Sequence, residues 1–143
     1  KRESKFQSDL IKELKNIFLN MPFIQVLNVS EIDIEKGTGI IRMQMNDTHL
    51  NTNHSLHGGV LATLLDTVSG ISVRSLLDSS RTAATVNISV NYVRPAFEGE
   101  ITAKGKVKTI GKNISTVEAE VFDQNNVLLA NSIATFVVID KKK

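Results

Sequence analysis

The chain has 143 residues, of which 41% are apolar and 22% charged, with a formal net charge of +2. That length suits one domain, able to bury roughly 68–70% of the surface its unfolded form exposes; the near-neutral charge argues against a general nucleic-acid binder, which needs clustered Lys and Arg to neutralise phosphate. The sequence has no cysteine, which excludes disulfides, a thiolate nucleophile and thiolate metal sites.

No apolar run reaches the roughly 18 residues of a membrane span. The start, Lys1-Arg2-Glu3-Ser4, is polar, and Lys141-Lys142-Lys143 reads as a solvated tail. The expectation is a cytoplasmic protein with no membrane partner. In SKFQSDLIKELKNIFLN, Phe6, Leu10, Ile11, Leu14, Ile17 and Phe18 fall at helical spacing. This predicts an amphipathic helix over residues 1–20, capped by Ser4 and ended by Asn20 and Pro22. Next, Val29, Glu31 and Asp33 alternate with Ile32 and Ile34, Glu35-Lys36-Gly37 signals a turn, and Ile40 to Met45 gives a second strand. The pair reads as a hairpin, and NDTHLNTNHS after it as a polar loop.

The central segment, NHSLHGGVLATLLDTVSG, opens the most apolar helix of the chain. Val60, Leu61, Leu64, Leu65, Val68, Ile71, Leu76 and Leu77 predict about five turns over residues 57–77. Beyond it, TAATVNISVNYVRPA, EITAKGKVKTIGK, NISTVEAEVFD and VLLANSIATFVVID read as strands, with turn signals at Lys108 to Gly111 and at Asp123 to Asn126. Short turns imply antiparallel pairing. No repeat or linker divides the chain, so the expectation is one domain over residues 1–143. Its fold class is α+β, a curved antiparallel sheet wrapped around one long helix, with an extra helix at the N-terminus.

One residue disturbs that apolar helix. Gly59, Ala62, Thr63, Asp66, Gly70 and Val73 stand at i, i+3 and i+4 spacings, a stripe that is mostly small. Such a stripe allows tight packing against the sheet, or makes a slot or a seat for a second subunit. Asp66 stands on it with no Lys or Arg within one helical turn, so its partner must come from a distant strand, a subunit or a ligand. At the helix start, Gly58 and Gly59 offer backbone N–H groups that lack intrahelical acceptors, where negative charge is favoured. Such donors can hold a carbonyl oxygen as it becomes an oxyanion, and a carboxylate can attack or activate water. Eight residues separate Gly58 from Asp66, roughly 12 Å along one helix. One reacting carbon therefore calls for the two groups from different copies of the helix, as a symmetric dimer supplies.

The segments HGGVLATLLDTVSG, TVNISVNYVRPA, GEITAKGKVKTIGKN and VLLANSIATFVV together resemble the hotdog-fold acyl-CoA thioesterases, in the phenylacetic-acid-degradation branch. The resemblance implies a homodimer with one continuous sheet, often a homotetramer, with active sites at the subunit interface and acyl-CoA as substrate. It implies no cofactor, coenzyme A being part of the substrate. By the same resemblance Asp66 is the catalytic acid, acting as base or nucleophile, and Gly58 polarises the thioester carbonyl through its N–H. His57 stands beside it, Asn51 helps place substrate or water, and Thr85 matches a hydroxyl position, with Thr82 as the alternative.

Plainer readings stand beside these. His57 can simply shape the loop, and Asn51 can be an ordinary loop residue. His54, His57 and Asp66 could suggest a metal, but the carboxylate is more than two turns from the histidines, so none is expected. Gly59, Arg94 and the turn Gly111-Lys112-Asn113 are candidates for binding coenzyme A, the turn because its N–H groups lie beside a lysine. The competing function is a binding protein that senses acyl-CoA without hydrolysing it.

Overall fold

A computed structural model describes residues 5–142; Ser4, the expected helix cap, lies outside them. The chain runs α1 (Lys5–Leu19), a 3₁₀ segment (Pro22–Leu27), β1 (Val29–Glu35), β2 (Thr38–Gln44), a 3₁₀ turn (Asp47–His49), α2 (Gly58–Arg74), β3 (Arg81–Tyr92), β4 (Glu100–Ile110), β5 (Ile114–Phe122) and β6 (Leu128–Asp140). The six strands form one antiparallel sheet in the order β1-β2-β4-β5-β6-β3. The sheet curves around α2, the hotdog arrangement.

Period-two alternation decides which face of each strand meets the helix. On β5, Ser115, Val117, Ala119 and Val121 are buried while Glu118 and Glu120 are exposed. From α2, Leu64, Leu65, Val68 and Ile71 are fully buried against Ile41, Met43, Ile101 and Ala103. Two glycines opposite each other on β2 and β4, Gly39 and Gly105, bring the sheet close against the helix. A Cβ at Gly105 would lie 2.6 Å from Ser72 Oγ and 2.9 Å from the Val68 carbonyl; one at Gly39 would lie 2.9 Å from Ile71 Cγ2. Intimate packing against the sheet is thus permitted by small residues on the strands, not by the small stripe of α2, which faces elsewhere. Val73 leaves that stripe: it is fully buried in a second cluster with Leu77, Phe136 and Val138.

The N-terminal helix buries Leu14 and Phe18 and packs on β1 and α2. Four features differ from the reading of the sequence. The segment after Pro22 is a 3₁₀ turn that buries Ile24 and Leu27 before the first strand begins. The central helix stops at Arg74 rather than at residue 77, because Leu76 and Leu77 donate to the carbonyls three residues back and tighten the last turn. Lys108, Thr109 and Ile110 belong to β4, so the turn is confined to residues 111–113. Finally, β3 does not pair with β4, the next strand in sequence, but with β6. Val93 and Arg94 both donate to the Leu129 carbonyl, and Pro95, which has no N–H to donate, turns the chain off the sheet.

Candidate active site

The loop before α2 is built to deliver His57. The Asn46 side chain accepts from Thr48 N–H, and His49, buried, takes the Asn46 N–H on Nδ1 while its Nε2 lies 2.8 Å from the Val26 carbonyl. His57 N–H then donates to the His49 carbonyl. Asn51 closes the loop on itself: its Oδ1 accepts from Asn53 N–H at 2.9 Å and Ser55 N–H at 3.1 Å, and its Nδ2 donates to Ser55 Oγ. These bonds shape the loop. His54 is exposed at the loop tip with φ +59°.

His57 caps the helix. Its Nδ1 accepts the Gly59 N–H at 2.7 Å, which assigns the ring proton of the neutral imidazole to Nε2. This corrects the expectation for Gly59, whose N–H is already engaged. The Gly58 N–H has no acceptor among the described residues. Tyr92 stands over this glycine: a Cβ at Gly58 would lie 3.3 Å from its ring. The free donor is thus Gly58, next to an aromatic wall that the sequence did not announce.

Asp66 finds its partner on a distant strand. Thr85 Oγ1 donates to Asp66 Oδ1 at 2.7 Å, and no cation lies within ion-pair distance of Asp66 among the described residues. Of the two candidate hydroxyls, Thr85 makes this contact; Thr82 sits opposite Ile139 in the sheet. The carboxylate borders an open cleft of about 520 Å³. Its floor is the small stripe of Ala62, Thr63, Asp66 and Gly70, and its walls include Phe18, Phe23, Ile88 and Phe136. Phe18 and Phe23 come from the N-terminal elements, whose packing onto α2 no local pattern reveals. Arg74 closes the far end, and burial holds its guanidinium below the ordinary arginine value.

His57 and Gly59 border a different cleft, of about 750 Å³, which meets the first at Phe23 and Thr63. Within one chain, then, the Gly58 donor and the Asp66 acceptor stand at separate places along α2. The coenzyme A candidates are also apart. Arg94 follows β3 near the Gly58 end of the helix, its guanidinium 3.4 Å from the Leu128 carbonyl. The turn at residues 111–113 lies beside the start of β3, where Arg81 donates to the Lys112 carbonyl. Gly111 N–H is closed onto Ile114 O, so it is not a free phosphate donor as expected, although Lys112 is exposed. Among the described residues, no three His, Asp or Glu side chains gather as a metal site, and no helix is long and apolar enough to cross a membrane.

Known proteins share this fold. The family model of the thioesterase superfamily matches residues 53–130, from the loop before His57 into β6. The 1,4-dihydroxy-2-naphthoyl-CoA hydrolase of Listeria monocytogenes is 23% identical over 119 residues, covering 83% of this chain and 97% of its own. The E. coli PaaI protein from the phenylacetic acid degradation operon superposes with a TM-score of 0.84 at 22% identity, over 97% of both chains. A Streptococcus mutans protein solved with acetyl CoA bound superposes with a TM-score of 0.73 at 28% identity, over 81% of this chain and 92% of that one. Hotdog architecture, a capped glycine pair at the start of the central helix and the matching family model lead to one conclusion: the chain belongs to the thioesterase superfamily.

Proposed function

We propose that the protein hydrolyses acyl-CoA thioesters at a site shared by two copies of the chain. The observation that carries this reading is Asp66: a carboxylate on a small-residue stripe, met by a hydroxyl and, among the described residues, by no cation, at the edge of an apolar cleft. Thr85 occupies Oδ1 and leaves Oδ2 for a water molecule. Asp66 takes a proton from that water as its oxygen attacks the thioester carbonyl carbon. The Gly58 N–H receives the oxyanion. The C–S bond then breaks, and the departing thiolate takes the proton, leaving free acid and coenzyme A. Direct attack by Asp66 would use the same contacts and pass through an anhydride. The reaction needs no cofactor.

The second copy follows from β3. Its outer edge, Arg81–Tyr92, pairs with nothing among the described residues, and twelve residues of open edge are a template for another strand. Antiparallel pairing of two β3 strands would run the two α2 helices in opposite directions, bringing Gly58 of one towards Asp66 of the other. A homodimer is the minimal unit of this reading, and a tetramer its extension. Arg94 and Lys112 are the side chains offered to the phosphates of coenzyme A, with Asn51 and His57 holding the loop that aims Gly58.

The test is release of free thiol from a panel of acyl-CoAs by wild type and Asp66→Asn. Loss of about 10²–10⁴-fold in turnover, with assembly retained, is expected if Asp66 is the base. Tight acyl-CoA binding without turnover by wild type would instead favour the sensing reading.

A further inference from the structure

Hydrolysis as described does not use the cation that closes the Asp66 cleft. Asp66, Gly70 and Arg74 recur every four residues, so they lie along one line of α2, and all three border the cleft. The Arg74 guanidinium sits 5.4 Å from the centre of the Phe18 ring. It makes no ion pair and donates no hydrogen bond among the described residues. On its other side it shares a small cavity with Glu13, Asp78, Arg81 and Lys141. Neither acid there is within ion-pair distance. Asp78 is engaged by the hydroxyl and N–H of Ser80, and Arg81 is paired with Asp140. A cation in the last turn suits the helix dipole, but an exposed side chain would serve that purpose equally. Arg74 instead lies half-buried against Phe18, with a planar fork of donors that finds no acceptor among the described residues.

We infer that Arg74 selects the acyl group, receiving a terminal carboxylate on the acyl chain while the thioester carbonyl lies at Asp66. The substrate class is then a dicarboxylic acid joined to coenzyme A through one end. This rests on the acyl-CoA reading above. Two turns and a fraction separate the two Cα atoms, roughly 12 Å. A six-carbon dicarboxylic acyl chain, with roughly 6 Å between its carboxyl carbons when extended, fits inside that span together with the two side chains that would hold it. The apolar walls suit the methylenes between the two ends.

The test compares the six-carbon dicarboxylic monothioester of coenzyme A with hexanoyl-CoA, equal in length and lacking the second charge. Wild type should favour the former in kcat/KM by about tenfold or more, the scale of a charge-assisted hydrogen bond. In Arg74→Met that ratio should fall to about one or below, and Arg74→Lys should restore part of it. Equal rates on both thioesters in wild type, or an equal loss on both in Arg74→Met, would overturn the inference while leaving hydrolysis standing. Titration calorimetry with both thioesters on Asp66→Asn, with and without Arg74→Met, reads the same contact without chemistry. Charge discrimination in binding that Arg74→Met abolishes would support Arg74 even if wild type hydrolysed neither thioester; no discrimination would overturn it.

Discussion

Among the described residues, Thr85 supplies the one hydrogen bond that the Asp66 carboxylate receives from a side chain across the fold. Replacing it by Val keeps the volume and deletes the donor, which frees the carboxylate to rotate. Thr85→Val should lower kcat about tenfold, the cost of a hydrogen bond to a charged group, while Thr85→Ser keeps most of the rate. Thiol release under saturating substrate measures both. If kcat is the same in both variants, the hydroxyl does not position Asp66. At this scale the sequence was informative about Asp66, because an acid on a crowded stripe without a neighbouring cation is conspicuous. It was silent on which threonine answers it. Thr82 and Thr85 differ only by their register on β3, and register is decided by the pairing with β6.

At the scale of the element, α2 begins where an unusual cap holds it. Histidine seldom serves as an N-cap, yet His57 Nδ1 accepts from Gly59 at 2.7 Å. His57→Ala should cost about 1 kcal/mol of stability, a few degrees in the melting temperature, and should loosen the aim of Gly58. His57→Asn offers an oxygen in place of the ring nitrogen, and asparagine is among the preferred caps. It should restore both the melting temperature and thiol release. Recovery of stability without recovery of turnover would give His57 a direct part in the chemistry. The helix itself was legible, because Leu61, Leu64, Leu65 and Val68 recur at its period. Its cap was not, since nothing in HGG says whether the ring turns back on the backbone or out to a ligand.

At the scale of the whole molecule, the open edge of β3 sets the terms. Val86, 61% exposed near the middle of that strand, would meet its own copy under the proposed two-fold pairing. Val86→Glu should place two carboxylates close together across the joint and split the dimer. Under the proposed pairing, sedimentation should show Val86→Glu as monomer where wild type is a dimer, and thiol release per chain should fall with it, because the proposed site draws on both copies. A monomeric Val86→Glu with full turnover would mean that one chain holds a complete site.

The sequence by itself determined the hotdog class, the central helix, the β4–β5 and β5–β6 hairpins and the carboxylate on which the functional reading turns. The hotdog class rests on the resemblance of the quoted motifs to a known family; the helix, the hairpins and the carboxylate rest on periodicity, turn chemistry and one misplaced charge, all local. Only the tertiary structure decided that β3 lies beside β6, that Thr85 meets Asp66, that the Gly59 N–H is spent on His57, and that Phe18, Phe23 and Arg74 enclose the cleft. Each of these joins residues far apart in the chain, or chooses between rotamers equally open to the isolated segment. Such choices are made when the sheet closes round the helix and leaves each side chain one place to go.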